Sequence, residues 1–376
     1  MLISCGRATF TNLSRYSHLN ERTYRRQYER SFNFMKFNQQ LIEEAVKPES
    51  EVILAVDCSF IPKSGSKTYG LDYFYNGSTS KAEKGLEIST MAVVDVNQKI
   101  GYSLSVQQTP ANSSFSNQES EQPKTTRIDC YLTQLQATVP YLPSSLRYVV
   151  SDGFYSKVKW VKGVTSLKLE AIGKLRRDAN LRYLYQDEYS GRGRPRKYQG
   201  KVDLNDCRNF ELVTQISSDV ALYTAVVWSI SLKCQIRVCY LLNHSGSDSS
   251  YAVLFCTDLN LDPYSIYLYY KARFQIEFIF RDSKQFTGLA DCQARDLTKL
   301  DFHFNSSLTA LNLAKWDAVR QHNCDSDFVF SMASYKRLGF NYHLLEQFID
   351  KLDLEPTLIK SHPNYSNLCN YGAIVA

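Results

Sequence analysis

Two aspartates in this chain follow short apolar runs, Asp57 after VILAV and Asp152 after RYVVS. Runs of this kind read as buried strands, and a carboxylate at a strand terminus projects into a cleft while the strand fixes its position. Aspartates also end strands simply because they form turns, so each alone carries little. A third acid is better specified. In SIYLYYKARFQIEFIFRDSKQF, taken as one helix, Tyr270, Arg273, Glu277, Arg281 and Lys284 fall within a sector of roughly 80°. Phe274, Ile276, Phe278 and Phe280 lie beside that sector and Ile279 behind it, so this helix is expected to be largely buried. An ionised carboxylate in such a place must be paired or bound to metal. Glu277 therefore either joins Asp57 and Asp152 around a divalent cation or closes an ion-pair network with Arg273 and Arg281. Three acids around a cleft suffice for Mg²⁺, which takes a few carboxylates and completes its shell with water and phosphate.

Tyr270, Arg273, Glu277 and Lys284 are separated by two, three and six residues. This spacing resembles the signature of a large group of bacterial insertion-sequence DDE transposases. VDCSF resembles the group's first-aspartate block, KGLEISTMAVVD the strand pair after it, and HFNSSLTALN the segment after the Glu helix. SDGFY resembles the second-aspartate block, where the group often has Arg in place of Gly153. The likeness runs from about Glu51 to Lys315, and the short N-terminus departs from it.

The resemblance implies an enzyme that binds insertion-sequence ends and carries out metal-dependent strand cleavage and strand transfer. Asp57, Asp152 and Glu277 would hold two Mg²⁺ ions, with Mn²⁺ as substitute, for an in-line displacement. Tyr270, Arg273 and Lys284, with Arg281 beside them, would bind phosphates of the transposon end. Hairpin formation, common in the group, needs a base drawn onto an aromatic residue. Trp228 is a candidate for that, or else a core residue. The implied partners are double-stranded DNA, both transposon ends and target, and a second copy in a dimer on DNA. The implied location is the cytoplasm, at the nucleoid when bound. Two alternatives stay open: a ribonuclease H-like nuclease or resolvase without strand transfer, and a truncated transposase acting as a non-catalytic DNA-binding inhibitor. A glycosidase with paired carboxylates would leave the chain's basic segment and Lys284 unexplained.

The elements that must position these residues can be read coarsely. EVILAVDCSF, EISTMAVVDVNQ and KIGYSLSVQQTP read as strands, the last two joined by a turn near Asn97 and Gln98. After a loop over 111–125 come a helix from Arg127 to Thr138, the strand RYVVSDGFY, a short helix and the strand SLKLEAIGKL. Three strands followed by alternating helix and strand is the order of a ribonuclease H-like mixed α/β sheet. The expected division is a helical segment over 1–50, a catalytic domain over 51–200 and 262–325, an inserted β-rich subdomain over 201–261, and a helical region over 326–376, with a disordered tail from Glu355.

In TNLSRYSHLNERTYRRQYER, a short helix, a turn at Ser17 to Leu19 and a second helix capped by Asn20 suggest part of a helix-turn-helix. Arg22, Arg25, Arg26 and Arg30 would face DNA, with Leu19, Tyr24 and Tyr28 packed inward; a charged surface helix is the plainer reading. Only about ten residues precede it, fewer than a complete three-helix unit needs, so the rest is expected elsewhere or the reading frame is truncated.

The 376 residues carry a formal net charge of only +6 and are 44% hydrophobic, enough for a full core. From Lys157 to Arg208, however, there are 14 Lys and Arg against 6 Asp and Glu. Within that stretch Arg192, Arg194, Arg196 and Lys197 form either a phosphate-tracking surface or a solvated loop. The ten cysteines include no CxxC pair and are expected to be free thiols. Neither a signal peptide nor a membrane span is expected.

Overall fold

The computed structural model describes residues 1–112, 125–185, 197–206, 208–244, 250–321 and 329–374. Arg192, Arg194 and Arg196, and most of the loop expected over 111–125, lie outside them. The chain opens with α1 (Phe10–Leu13), a 3₁₀ turn (Ser14–Tyr16), α2 (Glu21–Gln27) and α3 (Phe34–Ala45). Asn20 caps α2, its Oδ1 accepting from the Thr23 amide at 2.9 Å. Tyr28 anchors this segment, with its ring 4.6 Å from that of Phe10 and 4.7 Å from that of Phe302. Leu19, expected to pack inward, is exposed because it lies in the turn before the cap, outside the helical face.

Next come β1 (Val52–Pro62), β2 (Asp72–Asn76), β3 (Lys81–Asp95) and β4 (Ile100–Gln108), then α4 (Arg127–Thr138), β5 (Tyr148–Ser151), α5 (Val158–Ser166) and β6 (Glu170–Leu175). β1 pairs antiparallel with β3, β3 with β4, and β1 lies parallel to β5, as β5 does to β6. The order β4-β3-β1-β5-β6 is that of a ribonuclease H-like sheet. The β2–β3 hairpin was not anticipated, although Asn76-Gly77 between two β-prone runs is a hairpin signal.

β7 (Leu181–Leu184) and β8 (Tyr198–Lys201) come from the part assigned to the catalytic domain, and the β-rich stretch read as an insertion supplies β9 (Glu211–Gln215), β10 (Val220–Ser229), β11 (Cys234–Asn243) and β12 (Ser250–Cys256). β12 pairs antiparallel with β6, so these strands extend the same sheet along β12-β11-β10-β7-β8. The chain then forms α6 (Pro263–Ala272), α7 (Gln275–Phe286), α8 (Leu297–Gln321), α9 (Met332–Lys351), α10 (Pro356–Lys360) and α11 (Tyr365–Cys369).

Alternation along β1 builds both layers. Leu54 and Val56 face one side with Trp160 and Val161 of α5, while Ile53 and Ala55 face the other with Ile276 and Ile279 of α7 and Phe304 and Leu308 of α8. Asp57 continues the second set. The sheet's alternation, rather than a strand end, thus aims the first acid at α7.

Two sequence expectations are corrected. The segment around Glu277 is two helices, because at Arg273 and Phe274 the bonds tighten: Phe274 N–H donates to Lys271 O (3.2 Å) and Glu277 N–H to Phe274 O (3.0 Å), each spanning three residues. Phe274, assigned to a mostly buried helix, is therefore turned out to 48% exposure. The tail from Glu355 is also folded: Asn341 Nδ2 donates to Cys369 O (2.9 Å) and Tyr371 O (2.8 Å), and Lys360 pairs with Glu346 at 2.7 Å. No helix among the described residues is long and apolar enough to cross a membrane. Eight cysteines lie in the described residues, and all are free.

Candidate active site

Asp57 lies in the middle of β1, opposite Thr90 of β3, not at the end of its strand. Its parallel neighbour β5 stops sooner: Val56 pairs with Ser151, and Asp152 follows at once. The two aspartates therefore stand level with each other on adjacent strands, where the sheet opens because β1 continues and β5 does not. Asp57 Oδ1 accepts from the Cys58 amide (2.8 Å) and Asp152 Oδ1 from the Phe154 amide (2.9 Å), which fixes both rotamers.

The third acid approaches from the helical layer. Arg273, 9% exposed, donates through Nη1 to Asp57 Oδ2 at 3.1 Å and through Nη2 to Glu277 Oε1 at 3.2 Å. One guanidinium thus ties strand β1 to helix α7. Tyr270 completes the group, its ring centre 5.6 Å from the Arg273 guanidinium carbon. Burial raises the Asp57 carboxyl to about 6, opposed by Arg273 and reinforced by the charges of Asp152 and Glu277. Asp57 therefore senses both other acids. Burial also raises the Tyr270 hydroxyl.

The donor set of Asp57 and Asp152 suits a divalent cation: two oxygen-donor acids side by side, repelling each other, with room for phosphate and water to finish the shell. Glu277 is not gathered with them. Among the described residues no three His, Cys, Asp or Glu side chains stand close enough together to hold a metal, and Arg273 occupies the space between Glu277 and Asp57. The residues thus fit a cation through the aspartate pair, while Glu277 is held by Arg273.

Other expected residues separate from this group. Arg281 is exposed and pairs with Asp282 (2.9 Å) instead of Glu277. Lys284 is half-buried, and burial lowers its ammonium pKa; no hydrogen bond or ion pair ties it to the three acids among the described residues. Trp228 sits in β10 against Tyr198, ring centres 6.0 Å apart, with β6, β12 and β11 between its strand and β5. At the usual strand spacing that is on the order of 20 Å from the acids. On α2, Arg22 and Arg26 are exposed, whereas Arg25 is engaged by Glu21 and by the Phe10 ring. Lys197 is exposed.

Sequence reasoning missed Lys157, whose ammonium lies 3.7 Å over the Phe154 ring and close enough to feel the Asp152 charge. Its position five residues after Asp152 was the available signal. It also missed the support beneath the site, where Cys58 Sγ meets Tyr155 OH at 3.3 Å and Tyr131 donates to the buried Glu87 at 2.9 Å.

A ribonuclease H-like sheet with two aspartates side by side at its opening defines a class of phosphoryl-transfer nucleases. The comparison with known families agrees: residues 1–228 match the DDE superfamily endonucleases, and the chain belongs to that family. The match takes in Asp57 and Asp152 and ends in β10, before Glu277. Enzymes of this superfamily generally work with divalent metal ions. No curated protein matches the chain.

Proposed function

We propose that this DDE endonuclease is an insertion-sequence transposase that cleaves DNA at the element's ends and joins them to target DNA, with Asp57, Asp152 and Glu277 as its acids. The observation that carries the reading is the buried Arg273 fork joining Asp57 and Glu277 from opposite layers beside Asp152. Asp57 and Asp152, joined by Glu277, would hold two Mg²⁺ ions, or Mn²⁺ in their place. What bound ions supply is an activated water or 3′ hydroxyl and neutralisation of the leaving oxygen.

The chain's own groups do the rest. Arg273 holds Glu277 and Asp57 in place in the absence of DNA, and its fork matches a phosphate bidentately when one arrives. Lys157, close to Asp152, offsets part of the acids' repulsion toward a DNA backbone, and the Tyr270 hydroxyl offers a phosphate a hydrogen bond. The same reading entails a dimer that pairs two ends and a cytoplasmic, nucleoid-bound location.

The test is Glu277→Gln, assayed for binding, cleavage and strand transfer on duplexes cut from the DNA that flanks the gene on either side. Glu277 is 41% exposed at its side chain, and Arg273 keeps Asp57 as a partner, so the variant should lose less than about 1 kcal/mol of stability. Binding should persist while cleavage disappears. A folded variant that still cleaves overturns the assignment, and wild-type cleavage without joining would leave a nuclease or resolvase.

A further inference from the structure

Two cavities share a wall along α6 and α7. The larger, about 820 Å³, is lined by Tyr267, Tyr270, Phe274 and Lys271 among others. The second, about 550 Å³, reaches Arg281 and Lys315. Asn97, Lys99, Gln275 and Phe278 line both, so they form one groove running from the turn at Arg273 along α7.

Aromatic residues four apart on a helix ordinarily mark its core-facing stripe. Here the core side of α7 is taken by Ile276, Ile279 and Phe280, all buried. Tyr270, Phe274 and Phe278 form a different stripe, facing the groove. Phe274 is 48% exposed, and its ring meets that of Phe278 edge-on at 5.2 Å. Cations alternate with these rings. Lys99 and Lys271 are exposed, and Arg281 lies over the Phe278 ring at 4.6 Å. Lys315, only 4% exposed, spends one donor on Gly101 O at 2.7 Å and lines the groove with the rest of its ammonium. Arg281 and Asp282 offset each other, and Lys99, Lys174, Lys271 and Lys315 outnumber Glu51 along the walls, so the groove's net charge is positive.

Ring faces interleaved with cations are what unpaired bases and their phosphates require together: bases stack on the rings while the backbone follows the charge. Cavities of this size bury a drug-sized group and cannot admit a duplex. The geometry points to a groove that binds a few nucleotides of single-stranded DNA, with Phe274 as its stacking platform and with Arg273, which lines it, reaching the carboxylates. This inference rests on the reading of those carboxylates as a DNA-processing centre.

The full chain, without divalent metal, is titrated into fluorescein-labelled oligothymidine, with a short duplex and inorganic polyphosphate as competitors. Phe274→Ala should weaken oligothymidine binding by about tenfold or more and leave polyphosphate competition unchanged. Phe274→Trp should preserve binding, and Phe274→Leu, which keeps apolar bulk without a ring, should bind as poorly as the Ala variant. Unchanged affinity in Phe274→Ala, full rescue by Leu, or an equal loss toward polyphosphate overturns the stacking groove. The two readings fail separately. If wild type never cleaves duplex ends but oligothymidine binding still depends on Phe274, the chemistry falls and the groove stands. If cleavage proceeds and Phe274→Ala binds oligothymidine normally, the groove falls and the chemistry stands.

Discussion

Arg273 stands between carboxylates that would otherwise repel one another, and the balance at Asp57 shows how incompletely one cation compensates them. Burial, aided by the Asp152 charge, raises the Asp57 carboxyl from 3.8 to about 6 despite the Arg273 contact. Because the folded value lies above the ordinary one, folding favours the protonated acid. That contribution is fully present below about pH 4 and is lost as pH rises through about 6, a change on the order of 3 kcal/mol. Asp57→Asn, which cannot ionise but still offers an oxygen to Arg273, should therefore melt higher than wild type at pH 8, with the gap closing below pH 4. Mg²⁺ should raise the melting temperature of wild type at pH 8 and not that of the variant, which should also fail to cleave. A variant less stable than wild type at pH 8 would show that Arg273 more than offsets the desolvation of Asp57.

At the scale of elements, β4 poses a problem that α8 solves. β4 pairs only with β3 and so presents an open edge of backbone donors and acceptors. Along it, Asn312 accepts from Ser103 N–H (2.9 Å) and donates to Ser103 O (2.7 Å), Asn305 Nδ2 donates to Val106 O (3.3 Å), and Lys315 Nζ donates to Gly101 O (2.7 Å). Asn312→Ala would leave both Ser103 groups buried and unpaired, costing about 2 to 5 kcal/mol. Denaturant melts should show it, and a loss under about 1 kcal/mol would mean that water or a shifted β4 satisfies Ser103. Asparagines within HFNSSLTALN look like ordinary polar helix residues in the sequence, because an open strand edge is a property of topology and not of composition. Asp57 was expected at the end of its strand and lies in the middle of it, but β1, β3, β4, β5 and β6 were legible from their apolar runs and turn residues. The break at Arg273 and Phe274 was not, since both residues have helical backbone angles and no Gly or Pro marks the turn. It was the tightened turn that exposed Phe274.

For the molecule as a whole, a cluster of acids must approach a polyanion, and the compensating charge has to lie elsewhere. The net charge of +6 arises from a stretch over 157–208 that carries 14 basic and 6 acidic residues, against a remainder that is slightly acidic. A field built this way draws DNA toward one part of the surface and is screened by salt, so its signature is thermodynamic: each phosphate contact releases condensed counterions. Replacing Arg192, Arg194, Arg196 and Lys197 with Ala should weaken binding to unrelated duplexes and to element ends alike. It should also flatten the log–log dependence of affinity on salt by about one unit per lost contact. The same substitutions should leave the melting temperature and its response to Mg²⁺ unaltered, because Asp57 and its partners are held by β1 and α7. An unchanged salt slope would assign the basic segment to a solvated loop and shift the electrostatic work to the α2 arginines, where Arg22→Ala and Arg26→Ala would then carry the slope.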